Sequence, residues 1–518
     1  MPAALSSGRE RHVAAGTAVI ILGLLLPIAV VWSVQFPGQL DAYDHLARHY
    51  LELLRLEGRP LPPGLVVDYR ILPNLGGDLV IPPLIWLFGP LPALKVFLSL
   101  SMTLYWLGPA IFILQTGRYS AASWIASLLL LPLIATSSFF WGFLNYYSGV
   151  GLAFLVAVHL RYLDRRGELT ILAMLVHAAL VVLLFFWHLA AIFIYGVLLA
   201  AVVVTRLVDT RGSGQGFLRP VRHAGVICLP MLPAIGLYLV YVAQQDRGAT
   251  APLWPPLLFK LQMALTLFHG YDPKADLLVV VLWTAAALLF FGHSLRLGRP
   301  GFAAWVTIMF VVLYVVLPIR VGAKTSGVDA RILPAIVVCA LAWRGTLPVR
   351  WSWAGMALLT AAIGVRTADV SLAWHRLDAR LRDEARSFAL IKPGSSVLPL
   401  ILLIDFSKDD PEGHFAGLAV IERHAFVPTM FAFADQQPLR VTGETRLATP
   451  DPFLKQAPLT SDGWFTLPDP AGAAAYDYLW IYNPLMAKLD LPPEWSRIFA
   501  AERVTLWHRQ SGVPPLGG

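Results

Sequence analysis

Between Asp41 and Arg48 the chain reads DAYDHLAR, a run that crowds two carboxylates, an imidazole and a guanidinium into about two helical turns. Asp41 and Asp44 stand three apart, so a helix would set both carboxylates on one face near its start. His45 and Arg48 fall within a turn of them. Two chemistries suit such a set. One carboxylate can take a proton from a hydroxyl as a general base, or the pair can offer hard oxygen ligands to a divalent cation. The same spacing also suits architecture alone, with Asp41 as an N-cap, Asp44 favoured by the helix dipole, and an Asp44–Arg48 ion pair.

The elements that would carry these residues are apolar. The chain is 57% hydrophobic and 14% charged, against about 25% charged in soluble domains. Windows long enough to cross a bilayer recur at roughly 13–34, 75–89, 92–114, 120–137, 142–162, 169–186, 189–206, 224–243, 276–292, 302–318, 332–346 and 351–366. The expected fold is mainly α: a polytopic transmembrane bundle of 11–13 spans over 1–366, followed by a small extracytoplasmic α/β domain over 367–518. The first window follows GRERH without a small-residue cleavage site and reads as a retained helix. In 75–89, Pro82, Pro83 and Pro90 disfavour a regular helix. That segment is either re-entrant, or the weakly charged QTGR at 115–118 lies outside.

Basic connectors at 161–168, 205–223, 293–301 and 343–350 read as cytoplasmic. Alternation then places the first loop (35–74), 137–147, the tip at His188, 244–276, 318–331 and everything beyond Val365 on the outer side. The net charge of +8 follows this topology and does not call for nucleic acid. Cys228 and Cys339, both within apolar runs, make neither a disulfide framework nor a metal cluster. The chain has no Walker loop and no G-x-G-x-x-G. Beyond Val365, 371–391 reads as an amphipathic helix, 395–405, 476–483 and 503–509 as strands, and 492–502 as a short helix. The Gly/Pro-rich end, 511–518, reads as a disordered tail.

Other polar clusters fall on the expected outer side. They are Asp68, Arg70, Asn74 and Asp78; Trp141 and Asn145; His188; His269, Asp272 and Lys274; and Arg320, Lys324, Asp329 and Arg331. Each has a structural reading: Trp141 as a belt aromatic, His188 as a turn histidine, Arg320 as a snorkelling side chain. His414 and His424 read as core or surface histidines. The consistent sidedness favours a shared site.

One membrane helix, then a first outer loop with an acidic pair, then many spans and an outer soluble domain: this order resembles the GT-C class of integral-membrane glycosyltransferases. DAYDH stands where that class carries a D/E-x-D-like signature, with two residues between the acids instead of one. DHLARHY, LPNLGGDL, WGFLNYYSGVG and HLAA resemble bacterial GT-C-like proteins. The resemblance implies an enzyme of the bacterial inner membrane with its C-terminal domain in the periplasm. Its donor would be a polyprenyl-phosphate-linked sugar and its acceptor a glycan, lipid or protein. It implies catalysis by Asp41, Asp44 and His45, with a divalent cation (Mg or Mn) on Asp41 and Asp44 or no cofactor. Arg320, Lys324 and Arg331 would bind the donor phosphate, and Arg48, Asn74, Asn145, His188 and His269 would line the site. The amphipathic segment 257–268 would lie at the membrane interface. The competing readings are an O-antigen polymerase- or ligase-like enzyme, a transporter or flippase, and a structural membrane protein. A transporter would want ionisable residues at mid-membrane and matching inverted halves, and the sequence shows neither.

Overall fold

The computed structural model describes residues 2–211, 218–244, 251–292, 301–321, 325–403, 410–432, 436–442, 453–455, 459–460 and 462–510. Lys324, part of the connector at 205–223, most of that at 293–301, part of 244–276, and the tail 511–518 lie outside the described residues. The chain opens with α1 (Pro2–Ser33), α2 (Ala42–Leu56), β1 (Leu65–Val67), α3 (Gly76–Phe88), α4 (Pro90–Thr116), α5 (Ala121–Leu128), α6 (Ser137–Phe140), α7 (Leu144–Arg166), α8 (Ile171–Trp187) and α9 (Leu189–Arg211). It continues with α10 (Leu218–Cys228), α11 (Leu232–Ala243), α12 (Leu257–Ala264), α13 (Pro273–Phe291), α14 (Phe302–Val316), the hairpin β2 (Arg320–Val321) and β3 (Thr325–Ser326), α15 (Leu333–Arg344) and α16 (Trp353–Ala385). The remainder comprises β4 (Val397–Leu403), α17 (Glu412–Phe415), α18 (Leu418–Arg423), β5 (Leu439–Val441), β6 (Phe453–Lys455), β7 (Trp464–Thr466), α19 (Pro470–Ala473), β8 (Tyr478–Tyr482), β9 (Lys488–Asp490), β10 (Trp495–Ala500) and β11 (Val504–Arg509).

Among the described residues, six helical segments are long and apolar enough to cross a membrane: 14–33, 90–116, 189–208, 220–243, 273–291 and 353–390. Shorter apolar helices, such as α8 and α14, accompany them. Large apolar side chains stand exposed along these helices, Leu172, Leu239 and Leu288 among them. Water would penalise that surface and lipid would not. The chain is a multi-pass membrane protein. Its helices pack closely where small residues meet. A Cβ on Gly108 would collide with the Gly151 carbonyl, and one on Gly151 with the Leu104 carbonyl, so α4 and α7 touch backbone to backbone. A polar chain ties α7 to α8 and α9: His159 Nδ1 lies 3.0 Å from His177 Nδ1, and His177 Nε2 lies 2.7 Å from the Tyr195 hydroxyl.

Three local expectations change. Pro82 and Pro83 sit inside α3, which is helical throughout; the two missing N–H groups cost hydrogen bonds without ending the helix. The helix expected over 371–391 is the continuation of the last apolar segment, since α16 runs unbroken through Ala385. The stretch 492–502 is not a helix. It forms β10, antiparallel to β11 through a tight turn, because pairing with a neighbouring strand overrides its weak helical pattern.

The C-terminal part is built on a five-stranded sheet ordered β10-β11-β8-β4-β6. Strand β4 runs parallel to β6 and β8, and the β8–β11–β10 side is antiparallel. Every residue of β8 is buried, as expected of a central strand covered on both faces. This domain sits on the first loop. Strand β1 pairs with β5 from Leu65↔Val441 to Val67↔Leu439, and Arg440 Nη2 lies 2.9 Å from Asp68 Oδ2.

Candidate active site

Helix α2 carries charge on a face that no solvent reaches. Asp44, Arg48, His49 and Glu52 are all buried, because α3 covers one side of the helix and the α17–α18 turn the other. Its entry is held by backbone. Leu40 N–H donates to the Phe140 carbonyl (3.1 Å) and Asp41 N–H to the Trp141 carbonyl (3.3 Å), while Gln39 Nε2 donates to Phe139 O (2.8 Å). Gly142, at φ 81, permits this approach, since a Cβ there would stand 3.0 Å from Asp41 N and 3.1 Å from Asp41 Cβ. From the other side Tyr271 OH donates to Gly38 O (2.8 Å) and accepts from Trp374 Nε1 (2.9 Å).

Both carboxylates of DAYDH reach one imidazole. His414 Nδ1 lies 2.5 Å from Asp44 Oδ2, and His414 Nε2 lies 3.5 Å from Asp41 Oδ1. Asp44 is fully buried, whereas the Asp41 side chain keeps 14% of its exposure. The architectural alternative loses both of its contacts: Asp41 is the N-cap residue but makes no side-chain cap bond, and Arg48 pairs elsewhere. Burial pushes the Asp41 carboxyl up to about 6, with the His414 charge opposing and the Asp44 charge adding. Burial likewise raises Asp44, against the pull of His414. For His414 burial acts downward, but the Asp44 and Asp41 carboxylates outweigh it and raise the imidazole above its usual range. His45 is lowered by burial and by the neighbouring Arg48, and its ring stacks on Phe431 at 4.6 Å.

One turn further along α2 lies a second network. Arg48 Nη2 is 3.1 Å from Asp78 Oδ2 and Arg48 Nε is 3.5 Å from Glu52 Oε1. Its Nη1 faces His45 Nδ1 at 3.1 Å, and His49 Nδ1 meets Glu52 Oε2 at 3.0 Å. Ligand atoms of His49, Glu52 and Asp78 lie within 4.8 Å of one another. This trio, and not Asp41 with Asp44, has the spacing of a cation site. Arg48 nevertheless stands among the three and already pairs with both carboxylates, so a dication would have to displace a guanidinium. Asp41 and Asp44 in turn spend an oxygen each on opposite nitrogens of one ring. Neither set, as arranged, fits a resident Mg or Mn.

The remaining expected residues divide into two groups. Asn74, at φ 71, accepts from Leu189 N–H (3.0 Å) through its side chain, and its carbonyl accepts from Asn145 Nδ2 (2.6 Å). Asn145 Oδ1 accepts from Gly77 N–H (2.7 Å). His188 forms the one-residue break between α8 and α9, with its Nδ1 accepting from Ala190 N–H. These three hold the ends of α3, α7, α8 and α9 together. Arg331 joins the same end: its carbonyl accepts from Tyr146 OH (2.9 Å), and its guanidinium carbon lies 5.7 Å from the Phe143 ring centroid. Its Nε is buried without a hydrogen-bond partner among the described residues. Asp41 and Arg331 thus each touch the Trp141–Phe143 turn.

Arg320 and His269 lie on other elements. Arg320 is exposed on the β2–β3 hairpin, and its carbonyl accepts from Leu253 N–H. His269 is exposed at a turn fastened to α16, where Asp369 accepts from Tyr271 and Asp272 N–H, and Arg366 pairs with Asp276 and Asp369. Sequence reasoning missed His414, Glu52 and His49. His424, by contrast, is the left-handed C-cap of α18 and remains structural.

No family model matches the chain, and no curated protein matches it. Among solved structures, ArnT from Cupriavidus metallidurans bound to undecaprenyl phosphate is similar at a TM-score of 0.47 and 12% identity, over 97% of this chain and 98% of that one. The arabinofuranosyltransferase AftD from Mycobacteria is similar at 0.47 and 14% identity, over 97% of this chain and 40% of that one.

Proposed function

We propose that the chain is a GT-C-class glycosyltransferase that moves a sugar from a polyprenyl-phosphate carrier to an acceptor hydroxyl on the periplasmic side of a bacterial inner membrane, with inversion. The observation that carries this reading is the carboxylate pair at the start of the first-loop helix, gathered on one imidazole beside the Arg331 end of the bundle. Asp41 is the base. It is the carboxylate that keeps exposure, while Asp44 is sealed. Asp41 takes the proton of a glycan, lipid or protein hydroxyl. The acceptor oxygen attacks the anomeric carbon from the face opposite the phosphate, and the bond to the phosphate oxygen breaks. Polyprenyl phosphate leaves with the electron pair. Its charge meets Arg331, whose planar fork suits two phosphate oxygens. The lipid link follows from sidedness, because nucleotide sugars are cytoplasmic and the chain has no nucleotide-binding signature. The test gives the purified protein polyprenyl-phosphate sugars and nucleotide sugars in parallel, each with candidate acceptors. Turnover with the lipid-linked donors alone is expected; turnover with a nucleotide sugar and no lipid carrier contradicts the proposal.

Two results bear on the chemistry. A base must be ionised to act, and burial lifts the Asp41 carboxyl to about 6. The kcat/KM profile should therefore fall with acid through about pH 6; an exposed aspartate would keep its acidic limb near about 4. A limb near the lower value would remove Asp41 from the role. At the phosphate, Arg331→Lys keeps the charge and loses the fork. It should lower turnover by about tenfold or more, the loss of one charge-assisted hydrogen bond, measured as kcat at saturating donor. Wild-type kcat in that variant would mean that Arg331 does not touch the phosphate.

A further inference from the structure

The C-terminal domain reaches into the candidate active site with a single ring. We propose that His414 is a positioning residue, holding Asp44 and thereby the geometry of Asp41, so that the C-terminal domain is part of the catalytic unit. The inference rests on the functional reading above and deepens it. Its basis is geometric: one imidazole meets Asp44 on Nδ1 at 2.5 Å and Asp41 on Nε2 at 3.5 Å, so it fixes the separation of the two carboxylates.

The ring is itself held from several sides. Phe431, from the same domain, packs on it at 5.0 Å and stacks on His45 of α2 at 4.6 Å. The next residue, Phe415, meets Phe36 and Tyr43 edge-on at 5.2 and 5.0 Å. Glu412 pairs with Arg380 of α16, so the short α17 is tied both to the domain and to the helix that continues the last apolar segment. Gly417 brings the following turn onto α2, and a Cβ there would come within 2.6 Å of Asp44 Oδ1. A domain that merely covered the site would need none of this. Its separate attachment, the β1–β5 pairing and the Arg440–Asp68 pair, would suffice. Displacing a reacting group by about 1 Å can cost about a hundredfold in rate, which is the scale on which the ring acts.

The test uses the full chain in lipid nanodiscs with His414→Ala, His414→Asn and His414→Gln. An asparagine amide nitrogen stands where Nδ1 stands and keeps the donor to Asp44; a glutamine amide stands where Nε2 stands and loses it. On the lipid-linked donor that the wild type turns over, kcat should fall about a hundredfold in the Ala and Gln variants with KM for donor little changed, and the Asn variant, which keeps the contact to Asp44 and loses the longer one to Asp41, should recover part of it. Hydrogen exchange of the β1–β5 amides should stay protected in all three. Equal losses in Asn and Gln, or loss of β1–β5 protection in step with activity, would overturn the proposal in favour of plain domain docking. A second readout needs no turnover. In histidine-labelled protein, the hydrogen-bonded Nδ1 proton of His414 should give a low-field resonance that disappears in Asp44→Ala. Its persistence there overturns the proposal. Absence of turnover in the wild type, with that resonance behaving as expected, would instead count against the glycosyl-transfer reading alone.

Discussion

Asp41→Asn is expected to lower kcat by about 10² to 10⁴, the range that a positioned general base contributes, while the melting temperature stays at the wild-type value. The amide has the shape of the carboxylate and accepts hydrogen bonds, but it cannot take a proton. The stability half of the expectation follows from the cap geometry. Asp41 occupies the N-cap position of α2 but its side chain caps no backbone N–H. Asp41→Ala, which would cost about 1 kcal/mol at a working N-cap, should therefore cost well under that. Asp44→Asn should lower kcat by up to about a hundredfold, because it removes the charged partner of the ring that both carboxylates share. Thermal unfolding in detergent and initial rates on the lipid-linked donor give the two halves separately. Activity retained in the Asp41→Asn, Asp44→Asn double variant would end the catalytic assignment.

Arg48→Ala should give the largest loss of stability in the molecule's first loop, about 3–5 kcal/mol, the cost of leaving buried charges without their partner. Arg48 and Glu52 have no exposed side-chain area and Asp78 has 2%. Removing the guanidinium leaves Glu52 and Asp78 facing each other in a dry space, where at least one must take up a proton or the packing must open. Asp78 also sits in the first turn of α3, so the damage should spread to the loop that Asn74 and Asn145 hold. Combining Arg48→Met with Glu52→Gln and Asp78→Asn should recover much of the loss, since the uncompensated charges are then gone and the three sites are coupled. Unfolding midpoints of the single and triple variants check this. A loss under about 1 kcal/mol for Arg48→Ala would show that water reaches the network.

What the sequence made legible was the local part of this arrangement. The 41–48 spacing placed two carboxylates on one helical face, and they do meet one partner. The hairpin tip at His188, the apolar segments and three strands of the sheet follow from hydrophobic period and length, which are local quantities. The partners of the charges are not local. Asp44–Arg48 was the natural i,i+4 pair, yet Arg48 takes Asp78, thirty residues on, and Glu52, because α3 docks against that face. His414 lies 370 residues from Asp44. Nothing in the chain around it marks a functional histidine, beyond Gly417 three residues on, which lets the turn come close to α2. The same holds for β10, where a weak helical pattern gave way to a strand because β11 offered an edge to pair with.

The account stands on a lipid phosphate being handled at the Asp41–Arg331 end of the bundle. The most direct measurement is a structure of the full chain in nanodiscs with undecaprenyl phosphate bound. The phosphate is expected within hydrogen-bond distance of the Arg331 guanidinium, on the Asp41 side of the Trp141–Phe143 turn. A phosphate bound instead at the opposite end of the helices, beside Arg161 and Arg344, would contradict it.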